Sequence, residues 1–224
     1  MPLDWREERK ELLAAALEMD RLGLVSGSSG NASMRLPVQH GGELYLVTPS
    51  GMPYRDMTGA DLVAVDGELA PVGSEGVPSS ESLLHRAVYR ARPDVGSVLH
   101  THSVHATALA VAGKPLPPVV DEMVVYVGGQ VEVAEYGFPG SEELARAGAA
   151  ALGDRRAVLL RNHGLCGVGP SPREALRVCA LVERLAQIYL LAERSGGAIR
   201  LPDDAIRAER GAYLMRAGLK ESRG

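Results

Sequence analysis

"VGSVLHTHSVHATALAVAG", residues 95–113, changes its period halfway. Its first part, VGSVLHTH, reads as a strand; HATALAVAG reads as a short helix closed by Gly113. Two histidines, His100 and His102, stand at the end of the strand. Residues i and i+2 of a strand share a face, roughly 6.6 Å apart, so both rings can converge on one metal ion. His105 falls past the strand end, where the helix begins. A third ligand has to come from elsewhere, and "LLRNHGL" offers His163 at the end of a second buried strand. Alone, the His-x-His pair could equally be a hydrogen-bonded pair. The third strand-end histidine favours a metal, because burying three imidazoles without partners costs desolvation. Three nitrogens leave a tetrahedral ion one open position, as at catalytic zinc. A cupin-like site is excluded, since the next carboxylate after His102 is Asp121. An amidohydrolase barrel needs more than about 200 residues and usually places its His-x-His pair early in the chain.

Outward from this stretch, helical and strand patterns alternate. The first helix buries Leu12, Ala16 and Met19. "ASMRL" and "ELYLVT" are strands, and "LVAVDGELA" reads as a hairpin turning at Asp66-Gly67. "SSESLLHRAVYRARP" is a helix ended by Pro93. "EMVVYVGGQVEVAEY" reads as β structure with a glycine break, "SEELARAGAAAL" as a helix and "RAVLLRNHG" as a buried strand. Ser171, Pro172 and Glu174 open a long helix with a capping box, and a last helix spans about 203–217. The expected fold is α/β: a three-layer α/β/α arrangement around a mixed sheet, with residues 1–224 as a single domain.

At 224 residues and a net charge of −4, the chain can bury a core without staples and carries no basic stripe, which argues against nucleic acid. Cys166 and Cys179 form no disulfide framework, and no apolar run is long enough to cross a membrane. The N-terminal segment reads as an amphipathic helix rather than a signal peptide. The expectation is a soluble, cytoplasmic protein with no membrane partner. Its three lysines (Lys10, Lys114, Lys220) avoid apolar strands, which argues against Schiff-base chemistry.

Two further features carry chemistry. Glu81 begins a helix, on the face that also carries Leu84 and Val88. It is either a first-turn carboxylate favoured by the helix dipole or a base of shifted pKa. Ser79 and Ser80 precede it, and His85 follows one turn on, with a hydrogen-bonded supporting role expected. "SGSSGN" and "TPSG" are glycine–serine loops able to turn N–H groups toward an anion, although no P-loop is present.

"SSGNAS", "VTPSGMPY", "PSSESLLHRAVY", "RPDVGSVLHTHSVHATALA" and "RNHG", in this order, resemble the class II aldolase/adducin family, closest within it to the L-fuculose-1-phosphate aldolases. The resemblance runs from residue 5 to about 190. It implies a central mixed, mainly antiparallel sheet and a homotetramer with intersubunit active sites. It implies one Zn2+ per subunit, held by His100, His102 and His163. Glu81 would bind the resting zinc and then act as acid/base. Gly30, Asn31, Ser50, Gly51, Ser79 and Ser80 would hold a substrate phosphate. The implied reaction cleaves a ketose 1-phosphate to dihydroxyacetone phosphate and an aldehyde. Same-family alternatives are a sugar-phosphate 4-epimerase, a methylthioribulose-1-phosphate dehydratase and a 3-oxo-tetronate 4-phosphate decarboxylase. An adducin-like interaction domain lacks the metal histidines. The chain departs from the family at the proton-donating tyrosine supplied by the neighbouring subunit. That position falls on Glu122, with Tyr126 four residues on; a second, C-terminal tyrosine falls near Ala217, with Tyr213 one turn away. Tyr126 is taken as the donor.

Overall fold

In the computed structural model, which describes residues 5–37, 42–73 and 76–219, Ser97–Thr101 is a strand and Val104–Ala112 a helix ended by Gly113 in the left-handed region. Lys220 lies outside the described residues. The strands are β1 (Asn31–Arg35), β2 (Leu44–Val47), β3 (Val63–Asp66), β4 (Ser97–Thr101), β5 (Val133–Ala134), β6 (Ala157–Leu160) and β7 (Gly164–Gly169). They form one seven-stranded sheet in the order β3-β2-β1-β4-β7-β6-β5. Every pairing is antiparallel except β5 with β6.

The helices are α1 (Arg6–Arg21), α2 (Ser82–Ala91), α3 (Val104–Ala112), α4 (Asp121–Val127), α5 (Glu142–Leu152), α6 (Pro172–Arg194) and α7 (Asp203–Ala217). Each sheet face has its own core. On one face α2 and α5 bury Leu84, Val88, Leu144 and Leu152 against Val98, Val158 and Leu160. On the other, α1, α3 and α6 bury Leu12, Met19, Leu109 and Val182 against Leu46, Leu99 and Leu159. Burying one such side chain contributes about 1.5–3 kcal/mol, so each layer is held by many modest terms. The result is the expected three-layer α/β/α arrangement. Ser171 caps α6 by accepting from the Glu174 N–H at 3.3 Å. The Glu174 carboxylate pairs with Arg156 and Arg177 instead of completing the capping box. No helix of the described residues is long and apolar enough to cross a membrane.

Two expectations need correction. Residues 122–136 are not mainly β: Asp121–Val127 is helical, and only Val133–Ala134 joins the sheet. The Val-Val-Tyr-Val run has strand propensity, but Met123 and Val127 sit one turn apart and both enter the core, so packing overrides propensity. The turn at Asp66-Gly67 forms, with Asp66 Oδ1 accepting from the N–H groups of Glu68 and Ala70. Its return arm makes only a bridge, Val65 to Pro71, since proline has no N–H to extend the ladder.

The register gathers the chemistry at one end of the sheet. Asn31 pairs with His100 and Thr101 with Leu165, so the start of β1, the end of β4 and the start of β7 coincide. The end of β2 joins them, because the Thr48 N–H donates to the Ala32 carbonyl. Ser79 N–H donates to the Thr48 carbonyl, which brings in the start of α2.

Candidate metal centre and active site

At that end, Glu81, His100, His102 and His163 each offer a ligand atom, and these atoms all lie within 4.8 Å of one another. His100 Nε2 is 2.9 Å from His102 Nε2 and 3.2 Å from His163 Nε2. Glu81 Oε2 lies 3.2 Å from His100 Nε2, and Oε1 lies 3.3 Å from His163 Nε2. The His100 Nδ1–H donates to the Leu165 carbonyl at 3.0 Å, so its Nε2 presents a lone pair to the cluster. Around a tetrahedral ion with bonds of about 2.0–2.1 Å, donors sit about 3.3 Å apart. The donor set therefore fits one divalent cation.

Glu81 is the residue before α2, 8% exposed, and accepts from Asn31 Nδ2 at 3.0 Å. Burial pushes its pKa up, but hydrogen bonding and charge from His100, then His163 and Asn31, outweigh this and hold it at about 2. Burial pushes His102 down to about 4 and also lowers His163, so both rings are neutral ligands near pH 7. His85 is fully inside: its Nδ1 lies 2.6 Å from Ser33 Oγ, itself 2.7 Å from the Tyr89 hydroxyl. His105 stays outside the cluster, with its Nδ1 2.7 Å from Glu183. The Glu183 carboxylate also accepts the N–H groups of His105 and Ala106, capping α3 from 77 residues away. That contact has no local sequence signal.

The glycine–serine loops meet beside this cluster. Ser50 N–H donates to the Val77 carbonyl, joining the 48–51 loop to the 77–80 segment. Ser79 Oγ accepts from the Glu81 N–H at 3.3 Å. Ser50, Gly51 and Ser80 are exposed on the rim. Gly30, at φ 73°, passes so close to β4 that a Cβ would lie 2.6 Å from the His100 carbonyl oxygen. Tyr54 anchors the first loop from below, its hydroxyl donating to the Ser29 carbonyl at 3.2 Å. Asn31 is buried at 2%, and its side-chain amide is already committed to Glu81.

The tyrosines lie elsewhere. A cleft of about 650 Å³ is lined by Glu122, Tyr126, Arg156, Tyr213 and Arg216 among others. Arg156 immediately precedes β6, whereas His163 follows it, so the cleft and the histidines occupy opposite ends of the sheet. Glu122 is exposed, and Tyr126 is 42% exposed with the Arg216 guanidinium over its ring. Tyr213 is 2% exposed and donates to the Asp154 carbonyl at 2.7 Å.

The model of the Class II Aldolase and Adducin N-terminal domain family matches residues 10–190. The chain is 38% identical over 182 residues to the L-fuculose phosphate aldolase of Escherichia coli (strain K12), covering 81% of each. It is 36% identical over 201 residues to the 5-deoxy-D-ribulose 1-phosphate aldolase of Bacillus thuringiensis serovar kurstaki, covering 89% of this chain and 92% of the relative. A solved L-fuculose 1-phosphate aldolase superposes with a TM-score of 0.87 at 33% identity, covering 93% of this chain and 96% of the other.

Proposed function

The chain belongs to the class II aldolase and adducin N-terminal domain family, and from that premise we propose that it cleaves a ketose 1-phosphate of the L-fuculose 1-phosphate kind to dihydroxyacetone phosphate and an aldehyde. It is a metal-dependent aldolase, a carbon–carbon lyase acting on a small sugar phosphate. The observation that carries the finer reading is the convergence of Glu81 with three histidines beside the glycine–serine loops.

His100, His102 and His163, with Glu81 in the resting enzyme, hold one zinc ion; cobalt and manganese are its competitors for such a donor set. Bound there, the cation supplies Lewis acidity to the carbonyl group of the substrate. Gly30, Asn31, Ser50, Gly51, Ser79 and Ser80 line the phosphate pocket, where N–H groups and hydroxyls at the positive end of α2 favour an anion. Asn31 contributes by gripping Glu81. Glu81 moves the proton at the carbon that becomes nucleophilic. Away from the histidines it keeps the burial that raises its pKa and loses the histidine contacts, the largest of those that lower it, which makes it a better base than in the resting site.

Tyr126 relays the proton of the hydroxyl whose oxygen becomes the aldehyde, taking it as the carbon–carbon bond breaks and donating it in the reverse condensation. Its distance from the histidines of its own chain supports a homotetramer in which α4 of one subunit completes the site of the next. Glu122 is the other exposed candidate, while the committed hydroxyl of Tyr213 disfavours it as a donor. Residues 1–224 act as a single domain. The buried free thiols of Cys166 and Cys179 support a cytoplasmic location.

The test is a substrate panel on metal-loaded protein: L-fuculose, L-rhamnulose, 5-deoxyribulose and 5-methylthioribulose 1-phosphates, with ribulose 5-phosphate as the epimerase control. Release of dihydroxyacetone phosphate supports the aldolase reading. Turnover without carbon–carbon cleavage replaces it with the epimerase, dehydratase or decarboxylase alternative.

A further inference from the structure

Behind Glu81 runs a second polar line that the reaction has not used. His85 is 2% exposed, and its Nε2 is buried with no partner, while Nδ1 faces Ser33 Oγ at 2.6 Å. Ser33 Oγ has one proton and two neighbours, the other being the Tyr89 hydroxyl at 2.7 Å. If the Nδ1–H donated to Ser33, two groups would be buried without a partner, a hydroxyl proton of Tyr89 or Ser33 and the Nε2 lone pair, against the Nε2–H alone in the other tautomer. One arrangement places both hydroxyl protons: Tyr89 donates to Ser33, and Ser33 donates to Nδ1. The ring of His85 is neutral, since burial pushes its pKa down to about 3. Its single proton then sits on Nε2.

A buried donor without an acceptor is rare enough to need an account. Two acceptors nearby in the fold are also buried without a hydrogen-bond partner: Glu81 Oε1, which faces His163 Nε2 at 3.3 Å, and Asn31 Oδ1. Glu81 lies one helical turn before His85, and Asn31 lies two residues before Ser33 on the same face of β1.

We propose that His85 is a positioning residue for Glu81: Tyr89 and Ser33 hold its ring as the Nε2–H tautomer, and that N–H receives the Glu81 carboxylate when it leaves the histidines to move the substrate proton. This assignment rests on the acid/base reading of Glu81 given above. A hydrogen bond to a charged group at this point is worth about 10- to 100-fold in rate.

The experiment follows exchange of the dihydroxyacetone phosphate proton with solvent deuterium, on metal-loaded wild type, His85→Leu and His85→Gln, with metal content measured in every sample. Glutamine keeps an N–H near the position of Nε2; leucine keeps bulk only. The expected result is a kcat for exchange lowered about 10- to 100-fold in His85→Leu, with KM and metal content unchanged, and largely restored in His85→Gln. Wild-type exchange in His85→Leu overturns the proposal. So does equal loss in both variants, or a loss confined to KM or to metal content, since packing alone produces these. Nitrogen-15 spectra of the wild type keep the test open if a variant misfolds: a proton on Nδ1, or on both nitrogens, overturns it. A wild type that exchanges no proton overturns the reading of Glu81, and with it the role of His85 toward that residue, whereas exchange that is indifferent to His85 overturns this proposal alone.

Discussion

Gly30→Ala should damage the metal centre without touching a ligand, and Gly27→Ala measures how much of the effect is backbone strain. Both glycines have positive φ, 73° and 65°, in the same loop. A left-handed alanine costs about 1–2 kcal/mol at either place. The surroundings differ: an added Cβ at Gly27 meets nothing within 4 Å, whereas at Gly30 it lies 2.6 Å from the His100 carbonyl oxygen and 2.7 Å from Val25 Cγ1. Ordinary contact begins at 3.4 Å, so β1 and β4 must separate by 3.4 − 2.6 = 0.8 Å at the level of His100. Ligand distances tolerate about 0.2 Å. Overpacking adds about 1–3 kcal/mol, for a total of about 2–5 kcal/mol in Gly30→Ala against 1–2 in Gly27→Ala. At about 2–4 °C per kcal/mol for a chain this long, calorimetry separates the two. Metal affinity, measured by competition with a chromophoric chelator, should fall about 10- to 100-fold in Gly30→Ala alone. Equal melting shifts, with wild-type metal affinity in both, would refute the claim that β1 packs on the metal-bearing strand.

His102→Ala should purify with far less zinc than the wild type by elemental analysis; equal content ends the assignment of the histidine site. Glu81→Gln should lower dihydroxyacetone phosphate proton exchange by about 10²–10⁴-fold while retaining metal, and wild-type exchange would reduce Glu81 to a helix-start carboxylate. Light scattering at micromolar concentration should give four times the mass of one chain, and Tyr126→Phe should slow cleavage of the ketose phosphate more than proton exchange. Asp94 carries a pKa lowered first by its hydrogen bond to Arg92, against the opposing effect of burial. A depressed carboxylate stabilises the fold above the ordinary Asp range near pH 3.9 and loses that effect as pH falls through the lower folded value. Asp94→Asn should therefore melt earlier than wild type at pH 7, with the gap closing in strong acid; a gap independent of pH would contradict the pairing.

The strand-end histidines were legible because two of them share a two-residue period and the third ends a separate apolar run. Helix starts marked by serine, and stops marked by Gly113, were equally local. Residues 121–127 were misread because a β-branched run resembles a strand until the packing of Met123 and Val127 is known. The grip of Asn31 on Glu81 spans 50 positions, and the cap of Glu183 on α3 spans 77 or more. Neither contact leaves a period in the sequence, because each is decided by how helices dock on the finished sheet.

The pairing of β4 with β7 has a temporal consequence. His100 and His163 are 63 residues apart in sequence yet end up on adjoining strand ends. During synthesis, His100 and His102 leave the ribosome several seconds before His163 exists, at about 5–20 residues per second. A chain that long offers passing ions two imidazoles and no cage. Metal capture is thereby tied to closure of the sheet, and an ion held by this set would lock the antiparallel pair after the event rather than guide it. Cellular metal supply should then govern how long a finished subunit persists, and leave the rate at which it first folds unchanged.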